Sequence, residues 1–202
     1  VDMDLRGAGM NSGNMWYSKR PNTEPMYDLA LAPDLDKIDE IPGCFLTCTT
    51  LKDPSARRDN IHTLESFAFV SYEAFKKWES SHQDDRPQAY EDLKSRMTDL
   101  LFERIEELVP GMRDNVVFQA LGTPLTNKYY VNATEGNLYG LEKTMDQLWP
   151  FGFPVDPAID GLYLCGASTE GHGVAGARCG GRCRCRCRGH GWGPKRNSAL
   201  WL

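Results

Sequence analysis

The residues best suited to approach a ligand lie in one run, Gly161-Leu-Tyr-Leu-Cys-Gly-Ala-Ser-Thr-Glu-Gly-His-Gly-Val-Ala-Gly-Ala177. Gly161 to Gly166 reads as a short apolar strand ending in glycine, and Gly171, Gly173 and Gly176 punctuate the stretch after it. A strand, a glycine turn and then small residues bring backbone amides close to a bound group, because no Cβ stands between them. In that layout Gly166, Ala167, Gly171 and Gly173 give clearance, and Ser168 or Thr169 supplies a hydroxyl. The amides of Val174 and Ala175 then face an anionic or carbonyl-rich edge. His172 is the one histidine of the run; its imidazole suits proton transfer, and equally a packing or backbone-positioning role. An ordinary strand-to-helix turn has the same spacing, so spacing alone leaves both readings open.

Other chemistry is sparse. Trp149, Phe151 and Phe153, with Pro150 and Pro154 between and after them, suit either the wall of an apolar tunnel or the plug of a core. Tyr129 and Tyr130 carry the same two readings. No Ser-His-Asp or Cys-His set has informative spacing, so neither a catalytic residue nor a metal ligand is assigned. The early Gly7-Ala-Gly9-Met-Asn-Ser-Gly13 lacks the preceding strand, the third-glycine spacing and the succeeding helix of a dinucleotide loop. Cys44, Cys48 and Cys165 are scattered and suit buried free thiols in a reducing compartment. The sequon at Asn132 is of a kind that arises by chance.

The elements that must position these residues point to an α+β architecture with a mixed β-sheet and packed helices. Four prolines, Pro21, Pro25, Pro33 and Pro42, make residues 1–43 irregular apart from a short strand over Gly13 to Tyr17. Cys44 to Leu51 and His62 to Ser71 read as strands, the second with Phe67 and Phe69 on one face. A solvated loop carrying Lys52, Arg57, Arg58 and Asp59 joins them. From Pro87 to Val109, Tyr90, Leu93, Met97, Leu100, Leu101, Ile105 and Leu108 recur at steps of three and four, an amphipathic helix with a solvated charged face that Pro110-Gly111 stops. Val116 to Leu121 reads as a further strand, and Thr123-Pro124 opens a short helix through Tyr129 and Tyr130. Leu162 and Leu164 belong in a sheet.

The chain has 202 residues, 41% of them hydrophobic and 25% charged, with a net charge of −5. Its mean hydropathy is −0.50. No run approaches the roughly 18 apolar residues of a spanning helix, and the N-terminal residues lack a basic-then-apolar signal pattern. A membrane-spanning or plainly secreted chain is therefore not the expectation. Charge is unevenly placed: residues 178–202 hold seven basic and no acidic residues, leaving residues 1–177 with 16 basic against 28 acidic, a net of −12.

Four segments together resemble the C-terminal half of the phytoene desaturase, carotenoid isomerase and retinol saturase family of FAD-dependent oxidoreductases. They are Leu46-Thr-Cys-Thr-Thr-Leu-Lys-Asp-Pro-Ser55, Gly122-Thr-Pro-Leu-Thr-Asn127, Gly136-Asn-Leu-Tyr-Gly140 and the Gly161–Ala177 run. The resemblance covers roughly residues 44 to 177. It implies a substrate domain over 44–160 and a flavin-contacting strand, turn and helix start over 161–177. Gly166, Ala167, Ser168, Thr169, Gly171, His172, Gly173, Val174 and Ala175 would lie beside FAD, and Tyr129, Tyr130, Trp149, Phe151 and Phe153 beside an apolar polyene such as a carotenoid or retinoid. It also implies that the N-terminal dinucleotide-binding βαβ unit of a two-domain flavoprotein is missing here, so that this chain alone is inactive. Peripheral membrane contact is expected of the intact enzyme only, and a plastid is the implied compartment for a phototrophic eukaryote.

After Ala177 the pattern breaks. Where the family continues with an alanine-rich helix, this chain has Arg178-Cys-Gly-Gly-Arg-Cys-Arg-Cys-Arg-Cys-Arg188. Alternating CGC and TGC codons shifted by one base become alanine codons, which points to a frameshift or misjudged splice boundary and to a disordered tail over 178–202. The competing reading is a non-enzymatic binding module whose tail contacts zinc through Cys183, Cys185 and Cys187, or nucleic acid through its arginines. Cysteine at every second position does not match the usual ligand loops, and an acidic body repels a phosphate backbone, so no nucleic-acid partner is expected.

Overall fold

The computed structural model describes residues 1–57, 59, 61–147, 151–155, 157–159, 162–169 and 171–173. Arg58, Trp149, Gly161, Val174, Ala175 and the segment 178–202 lie outside the described residues. The elements run β1 (Met15–Ser18), α1 (Glu24–Leu31), β2 (Gly43–Cys48), α2 (Thr49–Lys52), β3 (Leu64–Phe67), α3 (Glu73–Lys76), α4 (Gln88–Leu108) and α5 (Pro124–Val131). They belong to one compact unit, Val1–Asn137; a second unit begins at Leu138.

Helix α4 forms where the periodicity places it. Tyr90, Leu93, Met97, Leu101 and Ile105 are buried, each contributing about 1.5–3 kcal/mol of apolar burial. The helix ends at Val109, and Gly111 takes the left-handed conformation at φ +80 that a side chain resists. One residue departs from the expected solvated face: Arg104 is 3% exposed. Its Nε donates to the Ile41 carbonyl at 2.7 Å, and its Nη1 donates to Glu107 at 2.5 Å. Two turns earlier Arg96 donates to the Ile38 carbonyl at 2.6 Å and to that of Leu35. The two guanidinium groups thus satisfy three carbonyls of an irregular segment that no helix or sheet ladder serves.

These contacts revise the reading of residues 1–43. The segment carries β1 and α1, and buries Leu5, Met10, Leu29, Leu35 and Ile41 in the same core as α4, so no unit boundary falls at residue 43. Its prolines break up regular structure, as expected, but long-range packing and the arginine contacts hold it in place.

The fold is α+β, but the sheet is antiparallel rather than mixed. Its order is β1-β2-β3, with Trp16 opposite Phe45 and Phe45 opposite Phe67. Cys44, Leu46 and Cys48 of β2 face the core. Trp16, Phe45 and Phe67 line up on the other face, where Phe45 and Phe67 stack at 4.7 Å and Phe69 meets Phe67 at 5.5 Å. Cross-strand aromatic pairs of this kind fix the register.

Several strands are shorter than expected. The run from Cys44 leaves the sheet after Cys48 because Thr49–Lys52 turns into α2, and β3 covers only Leu64–Phe67 of the run from His62 to Ser71. Val116 to Leu121 pairs with no strand among the described residues. Leu162 to Cys165 likewise forms no strand; Leu162 is 40% exposed and Leu164 only partly buried. Apolar content marks these runs, but a strand also needs a neighbouring ladder. Cys44 and Cys48 are buried free thiols as expected, whereas Cys165, on one of these unpaired runs, is exposed. No helix among the described residues is long and apolar enough to cross a membrane.

His62 is a second buried polar residue of the core, 5% exposed. Its N–H donates to the Val1 carbonyl and its own carbonyl accepts from the Val1 amine, both at 2.8 Å. Burial, reinforced by the positive charge of Arg57, pushes its pKa below the ordinary 6.5.

Two outcomes are expected. Arg104→Met should lower stability in urea unfolding by about 2 kcal/mol, because Ile41 loses a charged donor while the more exposed glutamates re-solvate; Arg104→Lys should fall between. A group whose folded pKa is depressed favours the folded state above its unfolded pKa, so stability should fall as pH drops from 6.5 through the lower folded value of His62. Thermal unfolding of the wild type and His62→Gln across that window checks this, the variant showing the flatter profile.

Candidate functional site

The glycine-rich run packs within the second unit. Gly166, at φ +105, begins a turn closed by Thr169, whose N–H and Oγ1 both donate to the Gly166 carbonyl, at 3.3 and 2.8 Å. Thr169 is buried, so its hydroxyl serves the turn itself. Ser168 lies against Gly140: a Cβ built on Gly140 would stand 2.4 Å from Ser168 Oγ, and Gly140 is also at φ +79. Only glycine meets both conditions. Lys143 Nζ donates to the Ala167 carbonyl at 2.9 Å, and His172 stacks on Tyr139 with ring centroids 5.6 Å apart.

Ala167, Ser168, Thr169 and His172 are thus gathered with Tyr139, Gly140 and Lys143. The last three come from the Gly136–Gly140 motif and its sequel, and residue-type reasoning gave them no role. The signal was the Tyr-Gly pair, whose glycine is needed for close approach. Gly166 and Gly173, both left-handed, have nothing among the described residues within 4 Å of where a Cβ would stand. Gly152 lies 2.6 Å, measured from a built Cβ, from the Gln147 carbonyl and 3.6 Å from that of Thr169. Phe151 and Phe153 flank it, 73% and 54% exposed.

In the first unit, Thr123 and Thr126 cap α5, with Thr123 N–H donating to Thr126 Oγ1 at 3.0 Å. Gly136, at φ +65, fits beneath this cap, where a Cβ would stand 2.2 Å from the Pro124 carbonyl, and Asn127 donates to its carbonyl at 3.2 Å. Tyr129 and Tyr130, at 50% and 69% exposure, pack edge to face on one another at 4.9 Å. Neither tyrosine lines the apolar cavity described next.

An apolar space lies elsewhere in this unit. A cavity of about 510 Å³ is bounded by the inner face of β2 and β3, by α4, and by the extended segment from Val116 to Leu121. Leu46, Leu64, Leu101, Phe102 and Ile105 make much of its wall, and His62 joins them. Sequence reading placed Val116–Leu121 in a sheet and so could not find this cavity. No group of three or more His, Cys, Asp or Glu among the described residues is placed to hold a metal ion.

No family model matches the chain, and no solved structure matches it. Characterised proteins do. It is 28% identical over 144 residues to the all-trans-retinol 13,14-reductase of Danio rerio, covering 69% of this chain and 24% of that protein. It is 34% identical over 143 residues to the chloroplastic prolycopene isomerase of Daucus carota, covering 67% and 22%. The prolycopene isomerase of Arabidopsis thaliana is 31% identical over 158 residues, covering 76% and 25%. The chain spans about a quarter of the length of the relatives it matches, consistent with a C-terminal part. Similarity of this extent to both kinds of protein places the chain, over the stretch that matches, in the family of the retinol 13,14-reductases and prolycopene isomerases.

Proposed function

We propose that this chain is the substrate-domain part and the final flavin-contacting segment of an FAD-dependent oxidoreductase or isomerase acting on a polyene isoprenoid, a carotenoid or retinoid. The observation that carries the reading is the packing of two motifs on one another, Gly140 against Ser168 and Lys143 on the Ala167 carbonyl, beside the left-handed Gly166 and Gly173. That arrangement fits a flavin: its glycines leave room for a flat, carbonyl-rich group, and Tyr139 and His172 offer aromatic surface next to it. Gly166, Ala167, Ser168, Gly171, His172 and Gly173 would hold the group, with Val174 and Ala175 continuing the run. FAD, when bound, supplies hydride exchange with the conjugated chain.

This chain's own residues bind and orient. The Thr169 turn keeps Gly166 in its left-handed conformation, and Lys143 prevents the loop from lifting. Phe151 and Phe153 offer apolar surface to the substrate, as do Tyr129 and Tyr130 of α5. The remaining dinucleotide-binding part of the enzyme would supply the pyrophosphate loop, so this chain by itself would keep little flavin. Polyenes partition into bilayers, so the intact enzyme would work at a membrane surface. The free, buried Cys44 and Cys48 fit a reducing compartment such as the plastid stroma.

A graft tests the reading. Residues 44–177 placed in the matching stretch of the Daucus carota prolycopene isomerase should give a yellow protein with flavin absorbance. Gly140→Val in that graft should lower flavin occupancy at least about tenfold, since the side chain displaces Ser168 and resists the left-handed backbone. A colourless graft that folds, or full occupancy in the variant, would count against the proposal.

A further inference from the structure

Two unpaired edges of backbone border the apolar cavity of the first unit. One belongs to β3. Thr49 N–H donates to the Thr63 carbonyl at 3.2 Å, in the same antiparallel register that sets Phe45 opposite Phe67. Backbone groups alternate in direction along such a strand, so those of Thr63, Glu65 and Phe67 point at β2 while those of Leu64, Ser66 and Ala68 point away from it. β3 ends the sheet, and these outward N–H and C=O groups have no partner among the described residues.

The other edge is the run 116–121. Val116 N–H donates to the Arg113 carbonyl at 3.4 Å, but from Val117 to Gly122 no backbone N–H or C=O has a partner among the described residues. The run reads Val116-Val-Phe-Gln-Ala-Leu121. Neighbours in an extended chain face opposite ways, yet Val117 and Phe118 are 59% and 83% exposed. Apolar residues on both faces suit a strand that is covered on both.

The two edges share one gap. Leu64 and Ser66 line the cavity together with the run 116–121, and a second hollow, which shares Ser66, Leu101, Ala120 and Leu121, continues beside Phe67 and Ala68. Among the described residues no Asp, Glu, Lys or Arg lines either hollow. Solvent serves the unpaired backbone groups while the gap is open. A hydrocarbon there would displace that solvent and return no hydrogen bond, whereas an occupant with its own backbone would pair with both edges.

We propose that the gap between β3 and the run 116–121 takes an extended peptide segment from the part of the intact enzyme that lies outside this chain. The segment ladders to Leu64, Ser66 and Ala68 on one edge and to residues 117–121 on the other, so that the three-stranded sheet becomes one of five. The proposal rests on the reading above that this chain is one part of a larger enzyme. The matched stretch is 24% of the Danio rerio protein and 22% of the Daucus carota one, which leaves about three quarters of each polypeptide to provide the strand. Its alternate residues on the side of α4 are uncharged and apolar, since they pack on Leu101, Phe102 and Ile105. An open edge of about five residues matches the usual strand length.

Backbone amide hydrogen exchange tests this, comparing the full chain alone with the graft in the Daucus carota isomerase described above. In both, the amides of α4 should be protected, which shows that each is folded. Those of 117–121 should exchange freely in the chain alone and at least about 100-fold more slowly in the graft, the change expected when exposed groups join a ladder. Ser66→Pro deletes an N–H that faces the gap and leaves those of Glu65 and Phe67 to β2, a substitution an edge strand tolerates. In the graft it should speed exchange at 117–121 at least about tenfold with α4 unchanged; no change overturns the bridging strand. Should α4 lose protection in that variant, Ala120→Pro, in the exposed run, takes its place and should speed exchange at Ser66 and Ala68. A yellow graft whose 117–121 amides exchange as fast as in the chain alone overturns the insertion and leaves the flavin reading standing. Slow exchange in a colourless graft upholds the insertion and counts against the flavin reading. Slow exchange in the chain alone, at every concentration or only at high ones, assigns the gap to a segment of this chain or to a second copy and overturns the proposal.

Discussion

The first unit depends on how the buried face of α4 deals with backbone carbonyls that have no ladder. Between α1 and β2 the chain carries Pro33 and Pro42 and forms no regular structure, so its carbonyls at Ile38 and Ile41 need donors from elsewhere, and that of Leu35 takes one beside the Ile38 N–H. Arg96 and Arg104 provide them from one side of a single helix. A buried guanidinium is expensive unless paired and hydrogen-bonded. Arg104 meets both conditions, with Ile41 on one edge and Glu107 on another, while Glu40 lies 3.8 Å away and Tyr17 beneath. Glu107 in turn accepts from Tyr17 of β1 at 3.0 Å, so the same contact ties the sheet edge to the helix.

With that segment held on α4, Leu35 and Ile41 close one end of the core, and β2 can lay Cys44, Leu46 and Cys48 against the helix. At the other end Tyr90 fills the space between Phe75 and Trp78 and reaches the Thr123 hydroxyl at 2.8 Å, which positions the start of α5. The space that α4 leaves uncovered between these ends becomes the apolar cavity. Its existence depends on Val116–Leu121 running extended beside the helix without joining the sheet.

The second unit is governed by a different constraint, the absence of side chains. Gly140 and Gly152 sit where a Cβ would meet backbone or side-chain atoms within 2.6 Å or less, and this closeness lets Lys143 and Thr169 fix the turn. Gly166 and Gly173 meet no atom of the described residues where a Cβ would stand.

The sequence alone determined what depends on neighbours along the chain. Helix α4 within a residue or two of its ends, the Thr123-Pro124 start of α5, the β2 strand and the family of the chain were legible, because periodicity, capping and short motifs are local signals. It was also enough to mark Ala167, Ser168, Gly171 and His172 as a loop of interest. It did not tell that Arg104 is buried, since an arginine among glutamates on a helix reads as solvated until its carbonyl partner, 63 residues away, is known. Nor did it tell which apolar runs pair: Val116–Leu121 and Leu162–Cys165 have strand composition, and neither joins a sheet among the described residues. Tertiary structure alone placed His62 beside Thr50 and Cys48. Such placements arise from contacts distant in sequence, and the residues that make them carry no mark of their partners in the order of the chain.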